Sequence, residues 1–415
     1  MWSYVHQPNH VWARAIILVD MNAFFASVEQ LDHPEWRGRA LAVTNGKQGT
    51  CIITCSYEAR SYGIKTGMRL YEARQLCPDL IQVPARPERY TIISKAIMDA
   101  LSTLTPDIEV FSIDEAFLDV TKCQLLFGTP EEMGKLAKQL VFKASGLHCS
   151  IGVSGDKTTA KFAAKQQKPN GFTIVAPWEA KKRLKYVPVT ELCGIKQGIG
   201  SFLAKHGVMT CGDMEKLPIS ILAKRFGNMG RRIWYMCQGA DPEPVHVHVP
   251  HPKSMGHGKV MPPNTRDPGV VESYLMHMCE KLASRLRHHQ FRAQRFFAGV
   301  RSQEWGWLGS TGQTIQSTND GKEIFQLCLF LLYQQWQGEP VNQIQVTALD
   351  PQSEGLQFDF LTESDDKRQY LNNVLDEIND RFGEFTIAPA PLLSRSQMPN
   401  VIAPAWKPSG HRQTI

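Results

Sequence analysis

Up to about residue 175, short apolar runs that end in acids alternate with amphipathic stretches. Ala15-Ile-Ile-Leu-Val-Asp20 predicts a buried strand with Asp20 at its C-terminal end, followed by an apolar helix start, Ala23-Phe-Phe-Ala-Ser-Val-Glu29. A second strand-like run, Cys51 to Thr54, leads into Ser56-Tyr-Glu-Ala-Arg60 and the loop Gly63-Ile-Lys-Thr-Gly67. Arg89 to Thr103 reads as helix, Asp107 to Val120 as two strands meeting near Ser112 to Glu115, and Cys149 to Ser154 as a further strand. This alternation predicts one mixed α/β layer. From 176 to 241 the pattern turns helical with short loops, and Asp241-Pro-Glu-Pro-Val245 reads as a linker, because its prolines resist helix and central strand alike. Beyond it, Val270 to His289 and Ile324 to Trp336 predict helices, and Arg295 to Val300 and Gln343 to Leu349 predict strands, a second α/β unit. The proline-rich end of the chain reads as an extended tail.

Composition narrows the class without naming it. The chain has 415 residues, 42% of them hydrophobic and 21% charged, a multidomain globular balance that excludes disorder and fibrous repeats. No apolar run is long enough to span a membrane or to form a signal-peptide core. The ten cysteines stand singly with no Cys-x-x-Cys pair, which predicts reduced thiols in a cytoplasmic protein. The formal charge of +6 permits a polyanionic partner.

Three acids are candidates for chemistry: Asp20 at its strand end, and the adjacent Asp114-Glu115 at a strand junction. Phosphoryl transfer with two metal ions needs hard oxygen ligands, which such a set could supply. Neighbours on a regular strand point to opposite faces, so Asp114 and Glu115 serve one site only if their step sits at a turn or bulge; the alternative is that these acids are simply solvated. Tyr57 and Arg60, three apart, would share a helix face and could clamp a phosphate, or Arg60 could be a surface ion pair. Gly152-Val-Ser-Gly-Asp-Lys157, Lys161 and Lys168-Pro-Asn-Gly171 form a basic loop-to-helix stretch without the phosphate-loop spacing. Gly194-Ile-Lys-Gln-Gly-Ile-Gly200 reads as a hairpin whose amides could face a phosphate. Residues 251–310 hold nine Lys or Arg against four Asp or Glu, as a groove along a nucleic-acid backbone would. His246, His248 and His251 lack the neighbouring Cys or carboxylate pattern of a metal site, and His288 and His289 suit a helix C-terminus.

Asp20-Met-Asn-Ala-Phe-Phe-Ala-Ser-Val-Glu29, Ser56 to Arg60 with Gly63-Ile-Lys-Thr-Gly-Met68, and Phe111-Ser-Ile-Asp-Glu-Ala-Phe-Leu-Asp119 resemble the Y-family translesion DNA polymerases of the bacterial DNA polymerase IV type. The likeness continues through Lys157 to Gly171, the Gly194 segment and Pro262-Pro-Asn-Thr-Arg-Asp267. It implies a multidomain α/β right-hand polymerase: palm from 1–23 and 87–175, fingers 24–86, a helical thumb 176–241 with a helix-hairpin-helix, linker 242–250, an α/β little finger 251–350, and a C-terminal extension and tail 351–415. It implies an error-prone, template-directed enzyme without proofreading, working on primer-template DNA and dNTPs as a cytoplasmic monomer with two Mg²⁺ ions per site. The resemblance makes Asp20, Asp114 and Glu115 catalytic metal ligands, helped by the Met21 carbonyl; Phe25 the steric gate against a ribose 2′-OH; Thr54, Tyr57, Arg60 and Lys161 the triphosphate contacts; and Gly194, Gly198 and Gly200 the duplex grip.

Three positions depart from the family pattern. Asn22 stands where many members carry a second aspartate. Lys196 replaces a hairpin glycine, which would strain the backbone if that position needs a positive φ. Gln357-Phe-Asp-Phe-Leu361, with Gln357, Phe358, Phe360 and Leu361 as contacts, resembles imperfectly a sliding-clamp peptide, against the alternative of an ordinary strand or loop. A catalytically silent DNA- and clamp-binding adaptor is the rival reading, although such relatives lose the acid triad. A nucleotide cyclase would have no use for a thumb or a basic C-terminal domain.

Overall fold

Six consecutive buried residues, Ile16–Met21, make the first strand a central one. In the computed structural model, which describes residues 12–47, 50–354, 366–394 and 406–410, the chain divides into two units. One comprises Met1–Val249 with Ile402–Thr414, the other Pro250–Val401. The strands of the first unit are β1 (Ile16–Met21), β2 (Leu41–Thr44), β3 (Ile52–Cys55), β4 (Ile81–Pro84), β5 (Ile108–Val110), β6 (Glu115–Asp119), β7 (Cys149–Ser154) and β8 (Phe172–Ile174). They form a five-stranded sheet in the order β5-β6-β1-β7-β8 and a small sheet β3-β2-β4.

β1 pairs antiparallel with β6 on one side and β7 on the other, setting Asp20 directly opposite Glu115 and Ser150. Helices Pro87–Ser102 and Pro130–Ser145 share the core cluster on one side of this sheet, with Tyr90, Ile97, Met133 and Val141 inward. Helix Lys157–Gln166 packs Ala160 and Ala164 on Ile16, Leu18 and Phe117. That approach needs glycine at 152, where a Cβ would meet the Ala160 carbonyl at 2.0 Å. Asp156 caps this helix, accepting the Thr159 amide at 2.8 Å.

The expected helix 89–103 spans Pro87–Ser102. The strand read at 51–54 runs one residue later, because Cys51 is only bridged to Arg69. β2 and β4, unforeseen because each is only four residues long, pair in parallel around the fingers-like core of Ala42, Ile52, Ala59 and Leu80.

The helical stretch buries Leu203, Met214, Leu222 and Ile233 in its own cluster. Instead of a simple hairpin, Gly194 turns at φ +89° and helix Gln197–Lys205 follows, carrying Gly198 and Gly200. Lys196 sits just before that helix at φ −105°, an ordinary extended backbone, so lysine there costs no strain. Asp241, expected in a free linker, is buried: Arg232 donates to it at 2.8 and 2.9 Å and Thr158 at 2.6 Å. The helix Ile219–Cys237 ends at Gly239, φ +68°, and a buried charge network, not solvent, receives the chain.

In the second unit β9 (Met255–Thr265), β10 (Phe291–Ser302), β11 (Gly306–Thr318) and β12 (Val341–Ala348) order as β11-β10-β12-β9. Helices Pro268–His288 and Gly321–Tyr333 supply Leu275, Leu282, Cys328 and Leu332 to the core beneath the sheet. β9 escaped sequence reading because Pro262 and Pro263 interrupt it; it tolerates them as an edge strand with a shifted register. Helix Asp366–Phe382 belongs to this unit too: Arg287 donates to Asp376 at 2.6 and 2.8 Å, and Arg368 to Asp320 at 2.7 Å. The proline-rich end is not simply an exposed tail, since Trp406, Lys407 and Pro408 are buried. Residues 357–361, with the clamp-like peptide, lie outside the described residues.

Candidate active site

The site forms where β1 runs out against the β5–β6 turn. The Phe111 and Ser112 amides both donate to the Glu115 carbonyl, at 3.0 and 3.1 Å, and close a turn that holds Asp114, while Glu115 opens β6. The adjacent acids therefore meet the condition for sharing a site: their step is a turn, not regular strand. The Met21 amide donates to the Asp114 carbonyl at 2.9 Å and staples the strand end to that turn.

All three acids feel one another. Asp20 is 5% exposed. Burial, then the Glu115 charge, pushes its carboxyl up to about 7, against the pull of Lys168. Burial and Glu115 likewise raise Asp114, while the Ser112 hydroxyl, donating at 2.6 Å, pulls it down. Two ammonium groups answer this negative crowd: Lys168 donates to Asp20, and Lys161 to Glu115 at 2.6 Å. Burial works against the charge of Lys161, yet Glu115 holds its pKa above the ordinary value.

Lys161, expected to hold a triphosphate, is committed to Glu115 and lies over the Phe111 ring at 4.3 Å. Lys168 is the cation whose field reaches both Asp20 and the Tyr57 phenol. Its signal was the Lys168-Pro-Asn-Gly171 segment, where chain folding and not spacing decides which lysine faces the acids. Tyr57 and Arg60 share the short helix Tyr57–Ser61, capped by Ser56, with the guanidinium 4.7 Å above the phenol ring. Burial raises the Tyr57 pKa, opposed by Arg60 and Lys168. Among the described residues the Tyr57 hydroxyl and the Asn22 side-chain nitrogen are buried without hydrogen-bond partners, donors left for a ligand to satisfy. Thr54 stands on β3 just before this helix.

Phe25 enters from the other side of Asp20. Ala23 takes a left-handed backbone, φ +44° and ψ +49°, which costs about 1 kcal/mol and starts helix Phe24–Asp32 two residues after β1. The Phe25 ring stacks on Tyr90 at 4.3 Å, 12° from parallel. The Tyr90 hydroxyl donates to Glu29 at 2.7 Å, and Arg86 donates to the same carboxylate at 2.7 and 3.0 Å, so the floor beneath Phe25 is fixed by an ion pair whose carboxylate is buried.

The acids carry hard oxygens and too much buried negative charge for themselves, a donor set that fits a divalent cation. Among the described residues no three His, Cys, Asp or Glu side chains already close a metal site; the two lysines hold Asp20 and Glu115 instead. His246 pairs with Glu243 at 2.7 Å, and His251 packs on Phe291. His288, at its helix end, pairs with Asp380 at 3.0 Å. Gly194, Gly198 and Gly200 lie in the separate helical cluster.

A model of the impB/mucB/samB family matches residues 19–165, and that of its C-terminal domain matches 252–360. DNA polymerase IV of Moorella thermoacetica is 33% identical over 379 residues, 90% of this chain and 94% of its own. DNA polymerase IV of Mannheimia succiniciproducens is 36% identical over 262 residues, 62% of this chain and 74% of its own. A solved Y-family DNA polymerase chimera of Dbh and Dpo4 superposes with a TM-score of 0.70 at 29% identity, covering 81% of this chain and 98% of that one. Fold and site together are those of a Y-family DNA polymerase, with palm, fingers, thumb and little finger. The chain belongs to the impB/mucB/samB family, on the side of the bacterial DNA polymerase IV type. It is a DNA-directed DNA polymerase of translesion synthesis, and the silent adaptor is not favoured.

Proposed function

We propose that this polymerase adds dNTPs to a primer 3′-OH at Asp20, Asp114 and Glu115, with the triphosphate cradled by Tyr57, Arg60 and Lys168. The observation that carries this reading is the crowding of three carboxylates, Asp20 buried and Asp114 and Glu115 half-buried, at one strand end, strong enough to bring Asp20 to about 7. The three acids and the Met21 carbonyl would hold two Mg²⁺ ions. When bound, those ions lower the pKa of the primer hydroxyl and neutralise charge on the departing pyrophosphate.

The chain's own residues do the rest. Arg60 and Lys168 place fixed positive charge, and Tyr57 a donor, where phosphate charge accumulates. Lys168 gives up Asp20 for phosphate oxygens, and Lys161 keeps Glu115 oriented. Phe25, backed by Tyr90, closes the space a ribose 2′-OH would need. Thr54 lies along the triphosphate's entry beside Tyr57.

Template and primer are gripped outside this site. On β10, Arg295, Phe297 and Arg301 alternate with the buried Phe296, Ala298 and Val300, so they stand on the face away from the helices. Trp307, Thr311 and Gln313 of β11 lie directly opposite them in register, and Gln343 and Thr347 continue the face on β12. This helix-free, basic and polar surface suits a duplex backbone, with the Gly194 to Gly200 segment as a second grip. Cytoplasmic location and a monomeric state belong to this reading. Among the described residues no helix is long and apolar enough to cross a membrane. A sliding clamp contacting Gln357, Phe358, Phe360 and Leu361 completes the partners.

Primer extension on an undamaged template tests the assignment. Wild type should extend with dNTPs and Mg²⁺ but not with rNTPs, and Phe25→Ala should admit rNTPs. Extension that persists when all three acids are replaced by alanine would overturn it.

A further inference from the structure

Residues far apart in sequence meet at Phe25. Trp406 is 1% exposed, its indole centroid is 5.8 Å from the Phe25 ring at 51°, and it belongs to the same core cluster as Ala23, Phe24 and Phe25. Lys407 and Pro408 are buried beside it, so this is a seated segment and not a passing contact. Among the described residues the Trp406 indole nitrogen finds no hydrogen-bond partner, and what holds the ring there is packing. Packing is mutual: what Phe25 does for Trp406, Trp406 does for Phe25.

Phe25 thus packs against three aromatic rings: its chain neighbour Phe24 at 5.7 Å, Tyr90, and Trp406 from the other end of the chain. Tyr90 lies parallel beneath it and is itself tied to Glu29 and Arg86. Trp406 meets it at a steep angle, and Phe25 is left 9% exposed. A ring stacked on one face alone can slide or pivot about its own side-chain torsions, whereas one held on two sides has a fixed edge. A steric gate discriminates by where that edge stands.

We propose that Trp406, supplied by the C-terminal segment, is a positioning residue for the sugar gate: it holds Phe25 where a ribose 2′-OH is refused. The inference rests on the reading of Phe25 as the gate and adds that selectivity depends on a residue 381 positions away in the chain (406 − 25).

The test is single-nucleotide insertion by the full chain with a matched dNTP and rNTP, comparing kcat/KM for the two. Trp406→Ala should raise the rNTP share by roughly three- to tenfold, the scale of one lost aromatic contact. Trp406→Phe should restore most of the discrimination. Trp406→Leu, which keeps apolar volume and folding without the ring, should fall between them and serves if the alanine variant does not fold. An unchanged rNTP-to-dNTP ratio, whatever happens to melting temperature, would reduce Trp406 to core filling and overturn the proposal. Improved dNTP use at an unchanged ratio would overturn it as well, marking the segment as an obstruction. Phe25→Ala separates the two readings: if it leaves rNTP use unchanged the gate assignment itself falls, and if it relaxes selectivity while Trp406→Ala does not, only the Trp406 proposal falls.

Discussion

The acid site of the first unit and the open sheet face of the second handle charge in opposite ways. At the acid site buried Asp20 and half-buried Asp114 and Glu115 crowd together and are answered by two lysines, so each charge acts at short range in a poorly solvated setting. On the sheet face Arg295 and Arg301 stand exposed among Phe297, Trp307, Gln313 and Gln343, where water and salt dilute each charge. Burial makes a residue irreplaceable, and exposure makes it one of many. Chemistry is therefore concentrated in a few positions of the first unit, and grip is spread over many in the second.

The sharpest way to break that contrast is to remove one buried acid. Asp20→Ala should lower single-turnover insertion by about a thousandfold or more, since the metal ligand set loses a member. Next in size, Lys168→Ala should raise the dNTP KM by roughly ten- to a hundredfold, the loss of one charge-assisted phosphate contact. Lys161→Ala should act mainly on kcat through Glu115. Steady-state kinetics in dNTP separates the two, and a larger KM effect from Lys161→Ala would restore the assignment made from sequence.

On the exposed face, replacing Arg295 and Arg301 by alanine should weaken primer-template binding several-fold and reduce the salt slope by about one for each arginine. A titration of affinity against salt reads this directly. The smallest effect is on stability. Asp20 holds its proton to about pH 7 in the fold, but from its ordinary 3.8 the unfolded chain has already released it. Stability without divalent ions should therefore fall as pH rises from about 4 to 7, with Asp114 acting in the same direction. Melting temperatures in chelator at pH 5 and 8 test the sign, and Mg²⁺ at pH 8 should restore what was lost. A flat profile, or one that rises with pH, would contradict the crowding of the acids.

The same contrast explains what was legible in the sequence. Asp20, Asp114 and Glu115 could be singled out from the ends of apolar runs, and the resemblance joined them into a set, while the turn that lets Asp114 and Glu115 share a site stood only as a condition. Which acid each lysine meets did not show, because Lys161 and Lys168 differ only in where helix Lys157–Gln166 and the following loop deliver them. β9 and β11 hid behind prolines and glycines that an edge strand and an open face tolerate. Trp406 hid in a proline-rich segment whose composition says extended, while its burial depends on a core some 380 residues earlier. Local pattern carries local structure; long-range delivery of a side chain has no local signature.

The most direct test of concentrated chemistry and distributed grip is single-turnover dNTP insertion at saturating primer-template, with binding affinity measured on the same samples. The variants are Asp114→Ala and the Arg295→Ala, Arg301→Ala pair. Asp114→Ala should lose insertion while keeping DNA affinity, and the arginine pair should lose affinity while keeping the insertion rate. Insertion that survives Asp114→Ala, or a saturating rate that collapses in the arginine pair, would contradict the account.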